Sequence, residues 1–265
     1  MRLKQRPHVK TEITDKDLQD VPKGTSFLQH RLFRVFAVEI KFEKVSFKQC
    51  DLTSCYFRRC TFEDCDFTGA IMRDCNFAKS VFTNCDFRYS HWEKTHVEQA
   101  VLDTGLPSEF NLARDFVRSL RVNYNQIGNQ EAVNKAASIE VGLTGKHLWH
   151  ASTSKESYYR SKYKGLAHGK AIIQFFWWSI LQLLWANGEN PWHLVLWAVV
   201  LPICFSFLNY PSTYFLENLQ TAYSVFLGLP HPQATSIFYS APLTVARYII
   251  FSLFVALLIR RYSRR

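Results

Sequence analysis

The chain has 265 residues, a formal net charge of +10 and a hydrophobic content of 48%, with seven Trp. This length allows a domain of about a hundred residues together with a second region. The sequence contains no phosphate-binding glycine loop, nucleophile elbow or zinc-binding pattern, so we expect neither an enzyme nor a bound cofactor or metal.

The first 26 residues are predicted to form a flexible basic arm, which carries Arg2, Lys4, Arg6 and Lys10. No apolar core follows the basic start, so no cleavable signal peptide is expected and the first domain is placed in the cytosol. The segment 27–38 is expected to be a cap or a set of degenerate first repeats of the pattern that follows.

A large apolar residue then recurs at every fifth position, without a gap, from Phe42 to Leu102. The members are Phe42, Phe47, Leu52, Phe57, Phe62, Phe67, Met72, Phe77, Phe82, Phe87, Trp92, Val97 and Leu102. A period of five fits neither a strand nor a helix, so each unit must turn a corner and place one large and one small side chain inward. Short identical units of this kind bury a core only by stacking as a solenoid.

This register, from about Ile40 to Thr104, strongly resembles the pentapeptide-repeat family, read as A(C/A)-(D/N)-(L/F)-x-x. The residue before the apolar position is Asp or Asn only at Asp51, Asp66, Asn76 and Asp86. The resemblance implies a right-handed, square-sectioned β-helix with four repeats, hence twenty residues, in each coil. Thirteen repeats then give a little over three coils, within a domain expected at 27–106.

Residues twenty apart should therefore stack at the strand spacing of about 4.8 Å. One internal column is predicted from Phe42 through Phe62 and Phe82 to Leu102, and the expected core is Phe47, Phe57, Phe62, Phe67, Phe77, Phe82 and Phe87. Cys55 should lie over Cys75, and Cys65 over Cys85. We interpret these cysteines as small inward hydrophobes, because their spacing offers no metal-binding pair and the cytosol disfavours disulfides.

Residues 107–170 are predicted to be a helical connector. Apolar residues at helical spacing indicate one helix over 111–125 and a second over 131–141, with Gly128 at the turn. This hairpin is similar to a single tetratricopeptide unit, which suggests a connector or cap. The basic, tyrosine-containing stretch 144–170 suits a lipid headgroup surface.

Three apolar stretches make up a membrane domain at 171–265. The stretch 171–186 is rich in aromatic residues and is predicted to lie on the bilayer surface. Residues 192–210 and 239–259 are predicted to span it, with lengths of about 28 and 31 Å as helices. Basic flanks at 155–170 and at Arg260, Arg261, Arg264 and Arg265, with no Lys or Arg at 211–238, place both termini in the cytoplasm.

The order of these elements resembles the two-helix pore module of potassium-channel-like proteins. Residues 215–227 would be the re-entrant pore helix, with its carbonyl end aimed at the centre of an oligomer. The family's Thr-Val-Gly-Tyr-Gly filter would be matched by Phe226, Leu227, Gly228, Leu229 and Pro230. Only Gly228 is kept, and proline fixes φ near −65°, so a potassium-selective filter is not expected.

Arg247 lies inside the second predicted span, and Glu217 is the only carboxylate between the two predicted spans. A charge at mid-span should face protein or water, because exposing it to lipid costs about 2.5–3.5 kcal/mol on insertion scales. Arg247 would line an outer vestibule and repel cations, or it would pair with Glu217. The two interpretations are compatible.

The leading hypothesis is an oligomeric conduit in a bacterial inner membrane, most simply a tetramer, with weak or non-potassium selectivity. The cytosolic solenoid would control it, and one role would be membrane depolarisation. The alternative is a non-conducting, membrane-anchored scaffold that binds a cytosolic protein on the β-helix. DNA mimicry and nucleic-acid binding are not expected, because the repeats have a net charge of −1 over 41–103.

Overall fold

A computed structural model describes residues 11–188, 190–208, 214–230 and 236–262. The chain divides into two compact units, Met1–Ser161 and Lys162–Arg265. The basic residues of the predicted arm at Arg2, Lys4, Arg6 and Lys10, the predicted span end at 209–210, and Arg264 and Arg265 lie outside the described residues. So do the side chains of Arg260 and Arg261.

The first unit is a β-solenoid of about four turns, built from three-residue strands. The strands are β1 Glu12–Thr14, β2 Arg31–Phe33, β3 Phe36–Val38, β4 Lys41–Glu43, β5 Asp51–Thr53, β6 Tyr56–Arg58, β7 Thr61–Glu63, β8 Ile71–Arg73, β9 Val81–Thr83 and β10 His91–Glu93. Parallel sheets run in the orders β1-β2-β5-β8-β10, β3-β6 and β4-β7-β9, and bridges from Ser26 through Ser46 and Asp66 to Asp86 form a fourth side. Partners such as Asp51 and Ile71 lie twenty residues apart, so each coil holds four repeats.

The five-residue period comes from the corners. Every fifth residue from Gly24 to Lys94 has a positive φ, between 47° and 78°, and only Gly24 and Gly69 among them are glycines. Each repeat is therefore a short strand followed by a corner at one left-handed residue. L-residues adopt this conformation at a cost of about 1–2 kcal/mol each, which burial of the neighbouring large and small side chains must offset.

The solenoid starts earlier than the repeat pattern indicates. Strand β1 pairs with β2 in the register Glu12 to Arg31, so residues 12–26 form a coil and the prediction of a flexible arm through residue 26 is wrong. The offset of this pair is nineteen residues instead of twenty. Because one residue is missing, the apolar positions Leu18 and Phe27, both buried, are nine residues apart and the five-residue pattern is broken between them.

The interior is a set of stacked aromatic rings. The ring centroids of Phe42 and Phe62 lie 4.7 Å apart, and those of Phe62 and Phe82 lie 4.9 Å apart, with interplanar angles of 5° and 10°. Each predicted core phenylalanine is at most 5% exposed. Leu102 is also buried, but it belongs to the short helix α1 Val101–Thr104 instead of a further strand.

Two long helices follow, α2 Phe110–Gln126 and α3 Gln130–Thr153, and then α4 Ser157–Lys162. The side chain of Asn129 accepts a hydrogen bond from the Ala132 N–H and so caps α3. Helix α3 extends twelve residues beyond the predicted end at Val141. Leu143, His147 and Ala151 lie four residues apart on one face of this extension, and all three are buried.

Helix α2 covers the last coil of the solenoid. The backbone N–H groups of Trp92, Lys94 and Thr95 donate to side chains of Ser119 (3.0 Å), Gln126 (2.9 Å) and Asn123 (2.7 Å). The ring of Phe116 stacks on Phe87 at 5.3 Å and extends an internal column into the helix. An exposed sheet edge invites pairing with other chains, and α2 closes this edge with side-chain acceptors.

The second unit contains α5 Leu166–Trp185, a 3-10 turn Ala186–Gly188, α6 Trp192–Leu208, α7 Phe215–Leu227 and α8 Ile237–Tyr262. Helix α5 begins five residues before the predicted start at Ala171. Prolines interrupt the backbone hydrogen bonding inside α6, at Pro202, and inside α8, at Pro242. Helix α7 contacts both α6 and α8.

Within the described ranges, one helix is long and apolar enough to cross a membrane. Its segment Ile237–Ile259 has 23 residues and a mean hydropathy of 2.1, and 11% of its apolar window is buried. A helix at the core of a soluble protein would be mostly buried, so this surface suits lipid or a partner. The apolar part of α6, Trp192–Phe207, is shorter, and a second span is not established.

Candidate functional site: the end of helix α7

The short helix α7 is packed through the face that carries Ala222 and Phe226. These residues form an apolar cluster with Val225 of the same helix and Leu243 of α8. The Tyr223 hydroxyl donates a hydrogen bond to the Val199 carbonyl of α6 at 2.9 Å. The neighbours on both sides therefore fix the position of the helix.

The predicted filter residues begin inside this helix. Phe226 and Leu227 form its last turn, Phe226 is buried, and Gly228 is the left-handed C-cap at φ +74°. The Leu229 N–H donates back to the Ser224 carbonyl at 2.8 Å, as in a helix-ending motif. Residues 226–227 therefore do not have the extended backbone of a potassium filter, because helical carbonyls point along the helix axis instead of toward a common line. Leu229 and Pro230 follow the cap.

Arg247 lies against the C-terminus of α7. A Cβ added to Gly228 would lie 1.9 Å from Arg247 Nη1 and 3.1 Å from Cζ, so only glycine leaves space for the guanidinium. The same guanidinium sits 4.6 Å from the centroid of the Tyr248 ring, a cation–π contact. A cation near the last turn of a helix is stabilised by the partial negative charge of the free carbonyls.

Glu217 lies in the first turn of the same helix. It precedes Gly228 by eleven residues, which corresponds to about 16 Å along a helix. Since Arg247 contacts Gly228, the predicted Glu217–Arg247 pair is not formed. Each charge instead lies at the end of α7 whose dipole favours it.

A pocket of about 370 Å³ surrounds Arg247 in this unit. Arg247 is the one charged side chain of its lining, and the other walls are apolar or aromatic. The lining residues are Leu194, Val195, Ala198, Phe226, Leu227, Arg247, Tyr248, Ile250, Phe251 and Phe254. The chemistry of this pocket is therefore a single permanent positive charge in an apolar setting.

In the solenoid, the small inward residues have a second role as hydrogen-bond donors. The thiol of Cys75 donates to the Leu52 carbonyl at 3.4 Å, and the hydroxyls of Ser80 and Thr95 donate to carbonyls that likewise lie twenty-three residues earlier. Cys, Ser and Thr all occur at the small inward position of the repeats, and this choice of residues could have indicated the hydrogen-bonding role. The described cysteines are free, and burial raises the pKa of Cys75 well above its ordinary value, so this thiol stays protonated.

A second concave surface lies in the first unit, where the last coil meets the helices. This groove of about 460 Å³ mixes aromatic and charged side chains. Its lining is Arg88, Tyr89, Ser108, Glu109, Phe110, Asn111, Leu112, His150, Glu156, Tyr158 and Tyr159. Tyr89 is 71% exposed at a solenoid corner, so it is available for contact with another molecule.

No protein with a curated description matches the chain. Two solved structures of trypsin-treated QnrB1 variants, described as a plasmid-mediated fluoroquinolone resistance protein, are similar to part of it. The first has 15% sequence identity and a TM-score of 0.16, and covers 33% of this chain and 48% of the other. The second has 12% identity and a TM-score of 0.12, and covers 32% and 57%. The chain thus spans about half the length of these structures.

A family model gives the remaining comparison. The model described as a pentapeptide repeat region matches residues 39–110, which hold most of the stacked strands described above. Residues 39–110 of this chain are therefore identified as a pentapeptide repeat region, folded as a β-solenoid.

Proposed function

We propose that this chain is an oligomeric protein of the bacterial inner membrane that forms an ion conduit without potassium selectivity, under the control of its cytosolic solenoid. The observation that most directly supports this proposal is the packing of α7 against both α6 and α8. Four copies around one axis are the simplest assembly for a pore of this layout, and dissipation of the membrane potential is one consequence of opening it.

The length of α7 supports this proposal. Thirteen residues give about 20 Å of helix, which is too short for a hydrocarbon core of about 30 Å. A helix that ends at membrane depth must have its free backbone groups satisfied by protein or by a water-filled cavity. A conduit at the end of α7 would supply such a cavity.

The membrane topology of the proposal needs two spans. Helix α8 is long enough by itself, whereas the seventeen residues of α6 give about 26 Å, a few Å less than a hydrocarbon core of about 30 Å. With two spans, the basic flanks before α6 and after α8 would both be cytoplasmic. The solenoid would then be on the cytoplasmic side, where a partner protein could regulate the pore.

The second candidate function is a non-conducting, membrane-anchored scaffold. The helical conformation at Phe226–Leu227 favours it, because no filter is formed there. The aromatic groove beside Tyr89 would be its protein-binding surface, since exposed Tyr side chains are enriched at interfaces. In this case the helices would only anchor and assemble the protein.

Ion flux through lipid vesicles distinguishes the two functions. The purified full chain in liposomes should dissipate a KCl gradient. A variant with residues 215–228 replaced by a flexible Gly/Ser linker should not, while it keeps the thermal unfolding of the solenoid. Absence of flux from the unmodified chain, or equal flux from the linker variant, would contradict the conduit and leave the scaffold as the remaining function.

A further inference from the structure

We propose that the conduit selects anions, and that Arg247 is the residue that selects them. This inference rests on the proposed function and names the class of ion that it carries. It follows from the charge balance at the end of α7, where the guanidinium contacts Gly228.

The sign of the charge at this point decides the selectivity. The C-terminus of a helix carries about −0.5 elementary charge, which is the feature that would attract a cation. The guanidinium adds one positive charge, so the end of α7 carries a net charge of about +0.5 in each copy. An anion is therefore attracted where a pore helix alone would attract a cation.

Within the described residues 192–208, 214–230 and 236–262, no carboxylate lies close enough to cancel that charge. Glu217 is the only Asp or Glu between Trp192 and Tyr262, and it lies about 16 Å away at the other end of α7. The walls of the surrounding pocket are apolar or aromatic, and such walls strengthen the field of a single charge. The cation–π contact with Tyr248 holds the guanidinium without neutralising it.

Gly228 makes this arrangement possible in two ways. Its positive φ ends α7, and its missing side chain gives Arg247 Nη1 a position only 1.9 Å from where a Cβ would lie. Gly228→Ala would therefore displace the guanidinium from the helix end. Arg247 and Gly228 act as one unit in this proposal.

The test measures the reversal potential of the full chain in planar bilayers under an approximately tenfold KCl gradient. An anion-selective conduit reverses near the chloride equilibrium potential, about 60 mV from zero. Arg247→Gln should lower the chloride-to-potassium permeability ratio by about tenfold, a factor expected for the loss of one charge at intermediate dielectric. Arg247→Lys should keep the preference for chloride.

The matched control is Lys170→Gln, which removes the same charge from an exposed position of the same unit and should leave the reversal potential unchanged. Reversal near the potassium potential, or an Arg247→Gln variant with an unchanged ratio, would overturn this inference alone. Absence of any current would overturn the proposed function, and the inference with it.

Discussion

The two units of this chain differ in the burial of their large apolar side chains. In the solenoid, rings such as Phe62 and Phe77 are completely buried in stacked columns. In the helical unit, Phe238 is 88% exposed, Leu216 75% and Phe251 66%. Phenylalanine content does not separate the units, since this residue is common in both.

The difference lies in which partner completes each core. A coil of the solenoid is covered by the next coil, and helix α2 covers the last one, so a single chain provides every layer. The helical unit has one small buried cluster around Ala222 and Leu243, and exposes most of its remaining apolar surface. Exposed apolar surfaces of this extent mark contact with lipid or with another protein.

We expect the largest loss of stability when a ring is removed from the middle of an aromatic column. Phe62→Ala should destabilise the solenoid by about 3–5 kcal/mol, because the ring is stacked between Phe42 and Phe82 and its loss leaves a cavity. Thermal unfolding of the full chain in detergent should show a midpoint lower by about 10 °C. Phe36→Ala, at a side chain 47% exposed on the solenoid surface, is the matched control and should cost far less. Equal losses would contradict the stacked core.

The next largest loss of stability concerns helix α2, which covers the last coil of the solenoid. Asn123 accepts from the Thr95 N–H at 2.7 Å and donates to the Thr95 carbonyl at 2.8 Å. Asn123→Leu should destabilise the first unit by about 2–3 kcal/mol, because it leaves both buried backbone groups without partners. Asn125→Leu, on the exposed side of the same helix, should have little effect by the same unfolding measurement. If both variants unfold like the wild type, α2 does not close the last coil.

A smaller loss of stability tests the hydrogen bonds made by the small inward residues of successive coils, which form a ladder along the solenoid. The Ser80 hydroxyl donates to the Phe57 carbonyl at 2.6 Å and accepts from the Cys60 N–H at 2.9 Å. Ser80→Ala should cost about 1–2 kcal/mol in urea unfolding, because it removes two buried hydrogen bonds. Ser80→Cys should recover part of the loss, since Cys occupies the equivalent position of several other repeats. Indistinguishable Ala and Cys variants would show that the ladder has only a space-filling role.

The smallest effect is electrostatic and depends on pH. Partial burial raises the pKa of Asp86, but hydrogen bonds from Arg88 lower it by more, so its pKa lies below the ordinary value. Its charge thus stabilises the fold above the unfolded pKa of about 3.9, and this contribution is lost as the pH falls through the lower folded pKa. Asp86→Asn should cost less than about 1 kcal/mol at pH 7, and this cost should shrink as the pH falls below the unfolded pKa of about 3.9. A cost that persists in acid would assign the effect to packing.

The repeat pattern predicts most of the solenoid. The sequence predicts much less of the chemistry of the helical unit. Thirteen apolar positions at a fixed spacing predict a stacked solenoid, and the resemblance to the pentapeptide-repeat family implies four repeats in each coil. The first coil was missed because a single missing residue breaks the spacing after Leu18. The bounds of α7 were predicted at 215–227 from the apolar composition of this stretch and the resemblance of its surroundings to a pore module.

The contact between Gly228 and Arg247 was not predicted. The two residues are nineteen positions apart in different helices, and no periodic pattern links them. Arg247 stood out only as a charge within an apolar stretch, and Glu217 was the obvious partner because it is the nearest carboxylate in sequence. The fold places that carboxylate at the opposite end of α7, so the helix terminus takes its place.

The most direct test of the account is the number of copies that assemble in lipid. Native mass spectrometry of the full chain released from nanodiscs should detect an oligomer, with four copies as the expected number. A strictly monomeric chain would contradict the account, because the charged end of α7 would then have no shared axis to surround.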